Sequence, residues 1–142
     1  MVEIDPKLWL GNALEIRDPK LLFDLQIQAI VDLAYEEQPA VPARSFLYQR
    51  FPLSDGEGND RAILRLAIQS LVQLLEAELT TVVGCSAGMS RSPTIAAFAL
   101  SLHSGQNPQD VIERIAQERA LEINPALWRE VQSCFDETFD RR

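Results

Sequence analysis

One stretch of this sequence constrains the fold more than any other, because it predicts a strand, a tight loop and a helix in direct succession. The run from Thr80 to Val83 is β-branched, which favours a strand. Mostly small residues follow from Gly84 to Ser90, and apolar side chains from Ile95 to Leu102 then recur with the spacing of one helix face. Strands that alternate with helices along a chain indicate an α/β fold with a largely parallel sheet.

The loop between this strand and this helix has the composition of an oxyanion site. The N–H groups of a first helical turn lack partners, and the positive end of the helix dipole adds to their effect. Gly88 lets the backbone curl so that successive N–H groups converge, and the planar guanidinium of Arg91 suits two phosphate oxygens. A thiol at such a site has a lowered pKa and is more often the nucleophilic thiolate. Cys85 is therefore the candidate nucleophile of a phosphoryl transfer.

The spacing Cys85-x5-Arg91, followed by Ser92, resembles the signature loop of the cysteine-dependent protein phosphatases. The order Ala87-Gly88-x-Ser90-Arg91-Ser92 is similar to the dual-specificity branch of that family in particular. The resemblance implies that five loop residues bind the phosphate through backbone N–H groups, together with the Arg91 side chain: Ser86, Ala87, Gly88, Met89 and Ser90. It also implies that the Ser92 hydroxyl hydrogen-bonds the cysteine sulfur and helps it leave a phosphocysteine intermediate.

Other segments extend the resemblance over nearly the whole chain, from about Val2 to Phe139. Lys7–Asn12 and Ile27–Ala34 are similar to the opening strands of a dual-specificity phosphatase domain. Arg119, with the segment Asn124-Pro125-x-Leu127-Trp128 after it, is similar to the region around its last helix. We therefore expect a single dual-specificity-phosphatase-like domain, residues 1–142. Its fold class is α/β of the protein-tyrosine-phosphatase type, with a mixed central sheet of about four or five strands and helices on both faces.

The loop after a predicted strand at Phe46–Phe51 supplies candidates for a proton donor. Cleavage of a phosphomonoester needs an acid for the departing oxygen, on an element that can close over the substrate. Pro52-x-x-Asp55 resembles the acid loop of the family, so Asp55 is the first candidate, and it would later act as base on the attacking water. Glu57 and Asp60 are alternatives, although Asp60 also fits the N-cap of the next helix. A solvated loop that merely carries three carboxylates is the remaining interpretation.

One position departs from the family's pattern. The family nearly always has histidine immediately before the cysteine, where it shapes the loop and helps to lower the thiol pKa, whereas this chain has Gly84. Two functions therefore stay open. The first is metal-independent hydrolysis of phosphotyrosine, with phosphoserine and phosphothreonine as further substrates, through a phosphocysteine intermediate. The second is a catalytically weak or inactive module that binds phosphoproteins.

Two further interpretations are disfavoured by where the Cys-x5-Arg spacing and the single histidine lie in the sequence. Low-molecular-weight phosphatases and arsenate reductases share the Cys-x5-Arg spacing but carry it near the N-terminus, whereas here it begins at Cys85. His103, the single histidine, lies about three helical turns beyond the loop, too far to pair with the nucleophile.

One histidine and no clustered cysteines predict no zinc site, and we expect no cofactor. Cys134 lies on an apolar helical pattern and is predicted to be a core residue.

The charge bears on possible partners. A net charge of −8 opposes binding to nucleic acid or to an anionic membrane surface. We therefore expect a phosphoprotein or phosphopeptide substrate, no nucleic acid, no membrane, and a monomer. The sequence has no apolar stretch near the ~20 residues of a membrane span, no leader pattern and only two cysteines, so we expect a cytoplasmic protein.

Overall fold

The structure, a computed structural model, describes residues 1–139 and places five strands in one sheet. In chain order the strands are β1 (Val2–Asp5), β2 (Leu8–Gly11), β3 (Ala29–Ala34), β4 (Leu47–Leu53) and β5 (Thr81–Gly84). They lie side by side in the order β1-β2-β5-β3-β4. Strand β1 pairs antiparallel with β2, and the other neighbours pair in parallel. The sheet is therefore mixed, and β5 occupies its centre.

Most helices of the described chain begin after a residue that caps their first turn. They are a 3-10 helix (Glu15–Arg17), α1 (Pro19–Asp24), α2 (Arg61–Glu76), α3 (Arg91–Ser104), α4 (Pro108–Ala116) and α5 (Pro125–Thr138). Four of them follow an Asp or Asn whose side chain accepts N–H groups of the first turn: Asp18, Asp60, Asn107 and Asn124. The pairs Asp18-Pro19, Asn107-Pro108 and Asn124-Pro125, together with Asp60, predict helix starts from the sequence, and all four are confirmed.

The two faces of the sheet carry separate apolar cores. Helices α2 to α5 cover one face, where Leu10, Leu33 and Val83 belong to the larger core. The 3-10 helix and α1 cover the other face, where Ile16 packs in a smaller cluster. The first ten residues of α3 are enclosed on all sides, since every residue from Arg91 to Leu100 is buried. The expected mixed sheet with helices on both faces is confirmed, and it gives the loop between β5 and α3 a rigid base.

Three details differ from the sequence expectations. Strand β1 is four residues long, too short for the alternation of Val2–Asp5 to predict it. The apolar stripe that begins at Ile63 predicts a helix from about Arg61 to Glu78, but α2 ends at Glu76, because Glu78 adopts a left-handed conformation with φ of 59°. The apolar spacing from Val111 to Ala116 predicts a helix that reaches about Arg119, but α4 ends at Ala116, beyond which the chain continues as a turn. Within residues 1–139, no helix is long and apolar enough to cross a membrane.

Candidate active site

The loop Cys85–Arg91, called the cradle loop below, lies at the carboxyl end of the central strand β5. Parallel strands β2 and β3 flank β5, and ligands of open α/β sheets bind at this edge. Gly88 has φ of 73°, and a Cβ atom there would lie 2.9 Å from the carbonyl oxygen of Gly11. Only glycine combines that conformation with so close an approach. The cradle loop is thus pressed against the end of β2 and strongly curved.

Hydrogen bonds hold the outside of the cradle loop and leave its inside open. The carbonyl oxygen of Ser86 accepts the N–H of Ala13 at 3.1 Å, and that of Met89 accepts the N–H of Glu122 at 3.0 Å. Within residues 1–139, none of the backbone N–H groups of residues 86–90 donates to a protein acceptor. Buried backbone N–H groups are normally paired, so five unpaired ones in sequence, two of them on buried residues, form a ready site for an anion.

The Cys85 thiol lies at the floor of this site and is buried. Its sulfur is 3.2 Å from the Ser92 hydroxyl oxygen and accepts the Ser92 N–H at 3.5 Å. Ser92 is fully buried in the first turn of α3. A sulfur anion here would have two donors and the positive end of α3 to stabilise its charge.

Arg91 is buried and joined to a carboxylate that the sequence did not single out. Its Nη1 and Nη2 donate to Oε1 and Oε2 of Glu36 at 2.6 and 2.9 Å, and Nη1 also donates to the carbonyl oxygen of Leu53 at 2.8 Å. Burial, the largest single effect, opposes the charge of Arg91, but the hydrogen bonds to Glu36 and the electrostatic interactions with Cys85, Glu36 and Asp55 together raise the Arg91 pKa. In turn, hydrogen bonds from Arg91 lower the pKa of Glu36 below its usual 4.5.

The donor count of Arg91 shows what remains for a ligand. A guanidinium carries five N–H groups, and three of them are used by Glu36 and Leu53. The buried Nε has no hydrogen-bond partner within the described chain. Nε–H and the second Nη2–H lie on the same edge of the planar group, a fork that fits two oxygens of a phosphate. Glu36 therefore occupies one edge of Arg91 and leaves the other free.

Asp55 lies over the cradle loop and is held there by two other segments. Its Oδ1 accepts the Ser90 hydroxyl at 2.6 Å, and its carbonyl oxygen accepts Nδ2 of Asn124 at 2.8 Å. The Ser90 hydroxyl oxygen also accepts the N–H of Asn124 at 2.9 Å. Asp60 caps α2, and Glu57 is exposed in the same loop. Of the three candidate acids, Asp55 is the one that lines the site.

An open cleft of about 470 Å³ brings these groups together. Cys85, Arg91 and Asp55 line it, together with Ala87, Met89 and Ser90 of the cradle loop and a segment that precedes and begins α5 (Glu122, Ile123, Asn124 and Pro125). His103 lies in the last turn of α3, away from the cleft, and Cys134 is a buried residue of α5. Residues 1–139 contain no group of three side chains arranged to hold a metal ion.

The side chain of Ile16 explains why glycine stands before the cysteine. A Cβ atom on Gly84 would lie 2.7 Å from Cγ2 and 3.3 Å from Cδ1 of Ile16. Ile16 is 1% exposed and cannot move into solvent. Any side chain at position 84, histidine included, would therefore require Ile16 or the backbone to shift.

Three residues of the site were not found by sequence reasoning in the roles that they have. Pro39 and Pro42 predict a surface loop from Glu36 to Ala43, but the position of Glu36, two residues after a buried parallel strand, could have signalled a site residue. The pair Asn124-Pro125 predicts a helix cap, which hid the second contact of Asn124 with the loop that carries Asp55. Ile16 is an ordinary apolar residue, and no sequence signal links it to Gly84.

The sequence matches no protein-family model and no curated protein, but the fold has many solved counterparts. Human DUSP28 superposes with a TM-score of 0.84 at 23% identity over 96% of each chain. A mouse putative dual specificity phosphatase, complexed with zinc tungstate, superposes at 0.83 and 23% identity over 95% of this chain and 86% of that one. Human tyrosine phosphatase-like serine/threonine/tyrosine-interacting protein gives 0.76 and 20% over 92% of both. The chain has the fold of the dual-specificity phosphatases, as the sequence resemblance implied.

Proposed function

We propose that this chain, which has the dual-specificity phosphatase fold, is a cysteine-dependent phosphomonoesterase. It hydrolyses phosphotyrosine in proteins, and also phosphoserine and phosphothreonine, without a metal or cofactor. The observation that carries the proposal is the single cleft in which Cys85, Arg91 and Asp55 meet above five unpaired N–H groups. The same proposal takes residues 1–142 as one domain that acts as a monomer in the cytoplasm.

The geometry supports a two-step reaction. In the first step the thiolate form of Cys85 bonds through Sγ to phosphorus while the ester P–O bond breaks, and Asp55 gives its proton to the departing oxygen. Arg91 and the cradle-loop N–H groups stabilise the charge on the other three oxygens. In the second step Asp55 takes a proton from water, the water oxygen bonds to phosphorus, and the S–P bond breaks. Ser92 then donates a hydrogen bond to the departing thiolate.

A second candidate function is phosphoprotein binding without turnover. It is favoured by Gly84, which removes the histidine that shapes the loop in the family, and by Ile16, which fills the space that this histidine would need. The anion site would remain, because the cradle-loop N–H groups and the free edge of Arg91 do not depend on position 84.

The pH–rate profile of aryl phosphate hydrolysis, measured with reductant and chelator, separates the two functions. We expect turnover that survives chelator and disappears in Cys85→Ser. In Asp55→Asn we expect at least a hundredfold loss and no dependence on a protonated acid, since general acid catalysis contributes about 10²–10⁴-fold. Cys134→Ser is the matched cysteine control and Asp24→Asn the matched carboxylate control, and both should keep the parent activity.

Two results would contradict the enzymatic proposal. Turnover that persists in Cys85→Ser would mean that another group or a contaminant does the chemistry. No turnover at any pH, while tungstate or a phosphotyrosine peptide still binds, would favour the binding module instead.

A further inference from the structure

A second groove adjoins the catalytic cleft, and nothing in the described chain fills it. It has a volume of about 280 Å³ and lies between the starts of α4 and α5. Its lining is Gln109, Ile112, Ile123, Pro125, Trp128 and Arg129. Ile123 and Pro125 also line the catalytic cleft, so the two spaces share a wall. We propose that this groove, the side groove, binds an apolar side chain of the phosphorylated protein segment, an inference that rests on the proposed phosphatase function.

The lining suits an apolar side chain. Four of its six residues present hydrocarbon or aromatic surface, which gains free energy when water is displaced from it. Ile112 is nearly buried, so an inserted side chain would be enclosed from below. An empty apolar groove beside a phosphate site is the usual form of a specificity pocket, in which polar groups fix the ligand and apolar walls select it.

The side groove is held rigid before any ligand arrives. The Trp128 ring packs on the fully buried Phe98 with ring centroids 4.9 Å apart. Pro125 is fixed at the first position of α5, whose cap Asn124 also donates to the carbonyl oxygen of Asp55. The wall of the side groove and the acid loop therefore share one anchor. A preformed groove loses little conformational entropy on binding, which favours affinity.

The shared wall keeps the apolar side chain close to the phosphorylated residue. The side groove and the catalytic cleft meet at Ile123 and Pro125, and an extended chain advances ~3.3 Å per residue. We therefore expect the residue in the side groove within about three positions of the phosphorylated one. Side chains two positions apart in an extended segment point to the same side, so both can reach the protein surface.

Charge favours a protein segment over a lipid as the occupant. Asp55 and Glu122 line the cleft, and Glu36 lies beside Arg91 at its edge. The chain as a whole has a net charge of −8. An anionic bilayer surface would meet these carboxylates with repulsion, whereas an isolated phosphorylated segment brings its negative charge only to the cradle loop.

Trp128 provides a direct readout of occupancy. The chain has two tryptophans, and Trp9 lies at the other face of the sheet. In a Trp9→Phe, Cys85→Ser protein, fluorescence reports Trp128 alone and bound substrate is not turned over. The probes are phosphotyrosine peptides of serine and glycine in which one leucine is placed at each position from three before to three after the phosphotyrosine. Matched peptides carry alanine or aspartate at those positions.

We expect leucine at one position within three of the phosphotyrosine, on one side of it, to shift the Trp128 emission and to bind about tenfold more tightly than alanine. Aspartate at that position should bind more weakly than alanine. Inorganic phosphate should bind without the emission shift. Ile123→Ala should reduce the leucine preference, whereas Ile63→Ala, a partly buried isoleucine on α2, should retain it.

The outcomes separate this inference from the proposed function. A flat leucine scan, a silent Trp128 or no peptide binding would overturn the inference, even if aryl phosphate is still hydrolysed through Cys85. An emission shift with dodecyl phosphate but with no peptide would overturn the choice of a protein segment and favour a lipid phosphate. A clear leucine preference in a protein whose parent form shows no Cys85-dependent turnover would support the side groove and contradict the phosphatase proposal.

Discussion

Replacing Gly84 by alanine tests whether packing against Ile16, rather than chance, explains the missing histidine. The added Cβ would lie 2.7 Å from Ile16 Cγ2, whereas carbon atoms in contact are ~3.5–4.0 Å apart. Relief of such an overlap in a packed core typically costs about 1–3 kcal/mol. Gly84 has no positive φ, so alanine adds no backbone strain. It also lowers the entropy of the unfolded chain, which returns about 0.4–1 kcal/mol. We expect a net loss of about 1–2 kcal/mol.

A double-mutant cycle isolates the contact. Ile16→Ala alone should cost about 2–5 kcal/mol, because Ile16 is buried. In that background the Gly84→Ala methyl group has room, so the second change should cost nothing or add stability. Ile16→Val is the sharper control: it shortens the side chain by the Cδ1 carbon but keeps both branches at Cβ, including the methyl group that makes the 2.7 Å contact. It should therefore give no rescue.

Urea unfolding followed by circular dichroism gives the four free energies of unfolding. The reasoning predicts a coupling of about 1–3 kcal/mol between Gly84→Ala and Ile16→Ala, and much less with Ile16→Val. Costs that add within about 0.5 kcal/mol in both cycles would refute it. Gly56→Ala, where the nearest atom to an added Cβ is 4.0 Å away, controls for the general effect of replacing glycine in this chain.

Three other predictions follow from the side-chain contacts of the site. Glu36→Gln should lower kcat/KM of the proposed reaction about threefold to tenfold, because it removes a charge-assisted contact to Arg91 from a half-exposed partner. Arg91 lowers the Glu36 pKa below 4.5, so the pair contributes its full stabilisation above that pH and loses it as the pH falls through the lower pKa of the folded state. Urea unfolding at several pH values should therefore show a steeper loss of stability in acid for the parent than for Glu36→Gln. Ser92→Ala should slow release of the thiolate about tenfold and produce a burst of aryl alcohol in stopped-flow traces; a proportional loss in burst and steady state would contradict that role. Ser90→Ala should release the Asp55 carboxylate and reduce kcat with little change in KM, mainly on the acid-dependent side of the pH profile, whereas an equal loss at all pH values would indicate a disturbed cradle loop.

The parts of the fold that sequence could predict are those set by local chemistry. Asp18, Asp60, Asn107 and Asn124 signal helix starts because a cap depends on a few neighbouring residues. Strand β5 and the cradle loop follow from a β-branched run and small residues in one short segment. The end of α4 at Ala116 could not be predicted in the same way, since a helix end depends on where the chain must turn to reach the next element.

The contacts that complete the site lie beyond such local reasoning. Glu36 and Arg91 are 55 positions apart, and Asp55 is 69 positions from Asn124. Glu36 and Asp55 look like ordinary loop acids in their own segments, and Asn124 looks like an ordinary helix cap. Only the parallel pairing of β3 with β4 and β5 brings their ends to one edge of the sheet. The family resemblance identified Cys85, Arg91, Asp55 and Ser92 as site residues, but it did not identify the residues that hold their side chains in place.

Because β5 lies at the centre of the sheet, the amide hydrogens around the nucleophile should exchange with solvent more slowly than those around the proton donor. Val82 and Val83 lie between two paired strands, and the first turns of α3 are buried, so their amides should exchange only when the whole molecule unfolds. The acid loop, residues 54–60, is held by side-chain contacts instead, since the N–H groups of Gly58 and Asn59 donate to the carboxylate of Glu130. Such a segment opens locally and at lower free energy. Mild heat or denaturant should therefore disable the proton donor well before it disturbs the nucleophile.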